Sequence, residues 1–240
     1  MSFSLYTSNS LEGLAQKLTE NLQETRDVFQ PQFIVTQTEG MTNWLKFQLA
    51  ERMGIAANCR FRQPNDVILH IYELLGGERS SLLSTQQVKW LLYELLGEEA
   101  FGQKFGAIKA YFGEDAVKRL GLAEKTADLF DQYQIYRPEM IEEWNHERGE
   151  PEEWQAFLWK RAKEKAGISL PDKTLIGKYI REGLLTKEGQ QAIQKISSIH
   201  FFGLSILTAY HLQLLSEAAN YIDIHFHLHD ALCNFKRTEE

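Results

Sequence analysis

Strand signals gather at the two ends of this chain and are almost missing between them. Residues 3–6 (FSLY) alternate weakly and 33–35 (FIV) form a short apolar run, each followed by a polar loop and a segment of helical period. Two strand–loop–helix units in succession imply parallel strands with crossover helices, because a tight turn cannot join a parallel pair. The pattern returns as strands at 199–203 (IHFFG) and 221–228, with a helix over 208–219 between them. From 67 to 194 the chain reads as helices, over 67–75, 85–96, a weaker 101–112, and a long 115–133 broken near Gly121. Further helices start at Pro138 and Pro151, and shorter ones cover 174–182 and 187–194, while 60–66 reads as a loop. The predicted class is α/β, a parallel sheet with flanking helices. The sheet domain takes residues 1–75 and 196–232, a helical insertion takes 76–195, and 233–240 reads as the truncated end of a longer chain.

Residues 33–58 hold the most informative unit. After the FIV strand comes a polar elbow, Thr36–Gly40, and then a helix from about Met41 with Met41, Trp44, Leu45, Leu49 and Met53 on one face. Gly54 is placed to end it in a left-handed conformation. Loops leaving the carboxyl ends of parallel strands are where α/β proteins build binding sites. A solvated strand–helix turn is the plain alternative. Near the start, Ser10 is a natural N-cap for a helix carrying Leu11, Leu14, Leu18 and Leu22.

With 240 residues the chain can bury a sizeable core, and no apolar run reaches membrane-spanning length. A formal charge of −7 argues against indiscriminate duplex binding, yet permits a local groove that reads bases. Cys59 and Cys233 are too few and too far apart for a disulfide framework or a zinc cluster. The N-terminus lacks the basic and apolar regions of a secretory signal, so a cytoplasmic setting is expected.

Candidate chemistry is sparse. The first strand–loop–helix sits where a nucleotide-binding loop would carry GxxxxGK[ST], but here it reads TSNSLEG, with Lys17 a turn or more too late. The later strand ends in Gly203-Leu204-Ser205, without the Asp that would hold magnesium. No cofactor is therefore expected in this domain. Asp128, Asp131 and Gln132 lie within one helical turn, with Arg137 just beyond. They permit acid–base or metal chemistry, a solvated face with Lys125 and Arg137 as ion partners, or the reading of bases by carboxylates. His225, His227 and His229 alternate on one strand face, either as zinc ligands or, better suited to the spacing along a strand, as a half-exposed polar face. His70, His146, His200 and His211 read as isolated packing or surface residues.

Two stretches, IVTQTEGMTNWLKFQLAERMGIAAN and TADLFDQYQIYRPEMIEEW, closely resemble the N-terminal region of the RecC family, the gamma subunit of exodeoxyribonuclease V. YTSNSLEGL and FFGLSILTAYHLQLL extend a weaker similarity over nearly the whole chain. The resemblance implies a domain like 1A of a superfamily 1 helicase, its ATP site lost, interrupted by a helical 1B-like subdomain. It implies a non-catalytic role beside RecB-type and RecD-type subunits, which would bind ATP and magnesium. It also implies a channel for the 3′-ended single strand that is scanned for the Chi hotspot. A purely structural, partner-binding domain is the alternative, and an independent ATPase or nuclease a weaker one. The resemblance carries DNA contact onto Gln37, Asp128, Leu129, Asp131 and Arg137, which retain the family residue. It also carries it onto Glu39, Asn43, Gln63 and Leu69, which depart from the expected Thr, Gln, Leu and Trp. A lost aromatic and a gained carboxylate should change which bases are accepted.

Overall fold

The computed structural model describes residues 3–24, 30–56, 58–79, 83–146, 151–167, 173–205, 207–230 and, for the backbone, 236–239. Cys233 lies outside the described residues. The chain divides into two compact units, Met1–Gly77 with Tyr179–Glu240, and Glu78–Lys178.

The first unit opens with β1 (Phe3–Ser8), α1 (Leu11–Glu24), β2 (Gln32–Val35), α2 (Glu39–Met53), β3 (Cys59–Arg62) and α3 (Pro64–Leu74). The second holds α4 (Thr85–Gly97), α5 (Glu99–Lys104), α6 (Gly106–Phe112), α7 (Ala116–Tyr136), α8 (Pro138–His146) and α9 (Trp154–Ala166). After α10 (Lys173–Leu184) come α11 (Lys187–Ile193), β4 (Ser198–Phe202), α12 (Ala209–Ala218), β5 (Asp223–His229) and β6 (Lys236–Glu239). The sheet runs β3-β2-β4-β5-β1-β6, with the first five strands parallel and β6 antiparallel to β1. The expected class, α/β with a parallel sheet flanked by helices, is what the chain adopts.

One sheet face carries Tyr6, Ile34 and Phe202 and is covered by Leu14, Leu18 and Leu22 of α1 and Leu45 and Leu49 of α2. The apolar stripes expected for these two helices are therefore the ones buried. Trp44 packs on Phe202 with ring centroids 6.1 Å apart, and Gly54 closes α2 at φ +72°, where a Cβ would be strained. On the opposite face Phe33, Val35, Ile199, Phe201, Ile224 and Phe226 are buried, and Phe33 meets His70 of α3 at 4.8 Å. In the helical unit the core mixes aliphatic side chains with an aromatic cluster. Phe130 is fully buried and meets the edges of Trp144 and Trp159 at 6.0 and 5.3 Å.

Several expectations need correction. The loop read over 60–66 is a strand followed directly by a helix. β3 turns Cys59 and Phe61 inward and Arg60 and Arg62 outward, and Pro64 is the first residue of α3, where its missing N–H costs nothing. The long helix is unbroken at Gly121, because one exposed glycine costs only about 1 kcal/mol while Ala123, Ala127 and Phe130 behind it are buried. The weak helix over 101–112 is two, α5 and α6, meeting at Phe105. The sheet does not end at β5, since the charged segment Lys236–Glu239 pairs with β1 through its backbone.

The histidines are corrected in part. His227 is 0 % exposed, but His225 is half-buried and His229 exposed, so the face is half-exposed as expected, while His200, 1 % exposed, belongs to it rather than standing alone. His200 stacks on His225 at 4.6 Å, and Tyr6 stacks on His227 at 5.0 Å. A nitrogen–nitrogen hydrogen bond of 3.4 Å joins His200 Nδ1 to His227 Nε2, and Ser198 Oγ lies 2.8 Å from His200 Nε2. His227 Nδ1 is buried with no hydrogen-bond partner among the described residues. A bare lone pair is cheaper there than a buried N–H, so His227 donates from Nε2 to His200, and His200 donates to Ser198. Among the described residues no group of three metal-ligating side chains gathers, and no helix is long and apolar enough to cross a membrane.

A polar crevice at the switch point of the sheet

From β2 to β3 the chain steps toward one edge of the sheet, and from β4 to β5 toward the other. Strand order therefore reverses between β2 and β4, and helices leave the two strands on opposite sides. A crevice opens there, at the carboxyl ends, in doubly wound sheets. The elbow after β2 lies at this point. Gln37 spans it, its Oε1 accepting from the backbone N–H of Ser205 in the loop after β4 at 3.4 Å.

Local chemistry holds the elbow in shape. Thr38 caps α2, its hydroxyl accepting from Met41 N at 3.2 Å, so the helix begins at Glu39 and the elbow is shorter than expected. Thr36 and Thr42 share a hydroxyl hydrogen bond of 2.5 Å, and Thr36 N donates to Arg62 O, which extends the β2–β3 ladder by one step. Beside these groups is a pocket of about 210 Å³, lined by Thr36, Thr38, Glu39, Thr42, Lys46, Phe61, Arg62, Gln63 and Asp66. Its lining offers two carboxylates, two cations and three hydroxyls. That inventory suits a ligand carrying both donors and acceptors, as a base edge does.

Of the residues expected at a site, Glu39 and Gln63 line this pocket and Gln37 is beside it. Asn43 is exposed on α2 and Leu69 half-buried on α3, and neither lines it. Lys46, Arg62 and Asp66 were missed. The available signal was the alternation in CRFR, which a four-residue edge strand makes easy to pass over. In the helical unit Asp128 and Arg137 are exposed at the surface of α7 and just past its end, and Leu129 is half-buried. Asp131 does not pair with Lys125 or Arg137, the ion partners that one of the three readings gave it. Lys173 of α10 takes it as an ion pair, and Thr85 Oγ1 donates to it at 3.3 Å. Gln134, one turn on, accepts from Lys173 N at 2.8 Å, so this face of α7 holds the start of α10.

The loop after β1 is arranged differently from the elbow. Ser8 Oγ accepts from Ser10 N, and Ser10 Oγ from Gly13 N, both at 3.1 Å. Lys17 reaches Glu20 at 3.0 Å. His229 Nε2 and the Asp230 amide bond the carbonyls of Asn9 and Ser8.

The chain is thus a doubly wound α/β sheet domain with a polar pocket beside its switch point, interrupted in sequence by a helical unit. The family model described as RecC, N-terminal domain, matches residues 3–236, and the chain belongs to that family. The RecBCD enzyme subunit RecC of Escherichia coli K12 is 30% identical over 234 residues, covering 92% of this chain. The RecBCD enzyme subunits RecC of Haemophilus influenzae and Mycolicibacterium smegmatis are 27% and 25% identical, covering 93% and 90% of it. The chain spans only 21%, 23% and 20% of those three relatives.

Proposed function

We propose that this chain is the strand-inspecting, non-catalytic part of a RecC subunit within a RecBCD-type helicase–nuclease, acting in double-strand-break repair and recombination. Its partners are RecB-type and RecD-type subunits and the 3′-ended single strand, which it scans for a Chi-like sequence. The observation that carries the reading is the crevice at the switch point, with Gln37 across it and Glu39, Gln63, Arg62 and Asp66 at its flank. Carboxylates and amides there can hydrogen-bond base edges while discouraging tight phosphate binding. The architecture suits descent from domain 1A of a superfamily 1 helicase. The reading excludes ATP hydrolysis by this chain, and it is supported by the loop before α1 and by α1 itself, where Ser10 Oγ takes the Gly13 amide and Lys17 pairs with Glu20.

In a reconstituted complex, Gln37→Ala is expected to alter the hotspot response and leave unwinding largely intact. Collapse of unwinding and nuclease activity together would refute the reading. A second reading, a structural domain that only braces its partners, is favoured by the engagement of Asp131 with Lys173 and Thr85. Asp131→Ala and Lys173→Gln separate the two. Both should lower the melting temperature slightly, because the pair is about one-third exposed and contributes on the order of 1 kcal/mol or less. Loss of hotspot response in Asp131→Ala alone means that Asp131 reads DNA. Equal behaviour of the two variants means that it is structural.

A further inference from the structure

Helix α4 presents a surface that strand inspection at the elbow does not use. Trp90, Tyr93 and Gly97 recur at three- and four-residue steps with Lys89 beside them, so they share one side of the helix. Trp90 is 50 % exposed, whereas Trp144 and Trp159 are 7 % and 1 % exposed. Its ring stands at 82° to that of Tyr93, with centroids 6.1 Å apart. Arg119 of α7 lays its guanidinium over Tyr93 at 4.1 Å, and Lys89 Nζ lies 5.0 Å from the centre of the Trp90 ring. Gly97 makes the seat for Arg119, because a Cβ there would come within 2.5 Å of Arg119 Nη1.

Two observations set this ladder apart from an ordinary helix surface. Among the described residues neither Lys89 nor Arg119 has a carboxylate within ion-pairing distance, and Glu94, which follows Tyr93, is taken by Lys165 at 2.9 Å. Arg119 Nε is also buried without a hydrogen-bond partner, so stacking holds the guanidinium and its charge is left uncompensated. In a chain of net charge −7, surplus cations beside an exposed indole are a local exception.

We propose that this ladder is a stacking contact for single-stranded nucleic acid. An unpaired base lies on the Trp90 indole, and the flanking phosphates are drawn to Lys89 and Arg119. Lys89 sits on a flexible stem, and an exposed cation–π contact is worth only about 0.5–1 kcal/mol, so it can swing from the ring to a phosphate. Every base has a π-face, so the contact holds a strand without reading it. The surroundings favour nucleic acid over a protein surface. Exposed Gln86 and Gln87 flank Trp90, where a protein hot spot would need a dry apolar rim. The inference rests on the reading of this chain as a strand-handling subunit but concerns different residues.

The test is titration of the chain at low salt with dye-labelled oligothymidylate of about fifteen nucleotides, read by anisotropy and tryptophan quenching. Trp90→Ala should weaken binding about tenfold and Trp90→Phe should largely restore it, as expected for a stacked base. Lys89→Gln should reduce the slope of log affinity against log salt by about 0.7. Circular-dichroism melting should be unchanged in Trp90→Ala, because half of the ring already lies in solvent. Equal affinity of wild type and Trp90→Ala overturns the proposal, as does failure of the wild type to bind at low salt. Unchanged oligonucleotide binding with weaker assembly onto partner subunits also overturns it and makes the patch a protein interface. If Gln37→Ala alone loses the oligonucleotide, this inference falls and strand inspection stands. If Trp90→Ala loses it while Gln37→Ala and Asp131→Ala leave binding and hotspot response unchanged, the reverse holds.

Discussion

Lowering the pH from about 7 to about 5 is expected to destabilise the sheet unit steeply, because two imidazoles in its core resist protonation. Burial pushes His227 down to about 3, with further depression from His225 and from Lys17 on α1. Burial likewise pushes His200 well below 6.5, and His225 and His227 add to it. Both folded values are depressed, so the folded state binds fewer protons than the unfolded one below about 6.5. Stability is therefore complete above that pH and falls as pH drops toward the folded values, by roughly 1.4 kcal/mol per pH unit for each ring. The hydrogen bond between the rings adds to the resistance. If both carried two protons, His200 Nδ1–H and His227 Nε2–H would face each other. The groups facing the pair are Tyr6 from β1, Lys17 from α1, Ser198 from β4 and His225 from β5. Thermal melts across this range would show the loss. In His227→Phe, which keeps the stack on Tyr6 and removes the proton site, the drop should be about half as steep. An equally steep drop in that variant would place the acid sensitivity elsewhere.

The other large effect is expected in the helical unit. Phe130→Ala removes the ring that Trp144 and Trp159 meet edge-on, at a site with 0 % exposure. A loss of about 3–5 kcal/mol follows from the transfer and cavity costs of such a deletion. Urea denaturation followed by tryptophan fluorescence should record it, since Trp144 and Trp159 are themselves the reporters. A loss below about 1 kcal/mol would mean that the surrounding helices collapse into the space. The same α7 carries Asp128, Leu129 and Asp131, so the variant also tests whether strand handling depends on a fixed α7.

Legibility followed the strength of local pattern. The stripes of α1 and α2, the α/β class and the helical middle were readable because apolar residues recur at the period of the element they form. β3 and β6 were not. Each has four residues and lies at an edge of the sheet, where backbone pairing and one sheltered face are enough. Gly121 misled because propensity is a weak local term, overridden by the packing of Ala123, Ala127 and Phe130. Within the candidate site, Gln37, Glu39 and Gln63 were nominated from the sequence, but Lys46 lies two turns further along α2, and Arg62 and Asp66 come from β3 and α3.

The sequence by itself determined which residues are apolar, at what period, and hence that strands at both ends would frame helices. It also held, in GMTNWL and LFDQYQIYRP, the resemblance that places the chain among RecC N-terminal domains. Tertiary structure alone decided the strand order, and with it the crevice where Gln37 meets the Ser205 backbone, 168 residues away in the chain. It alone gathered three histidines from two strands into a stack with two of the rings buried, and gave Asp131 to Lys173 rather than to its helical neighbours. The reason is physical. Periodicity is a property of neighbours along the chain, whereas ion pairs, stacks and crevices depend on which distant segments packing brings together.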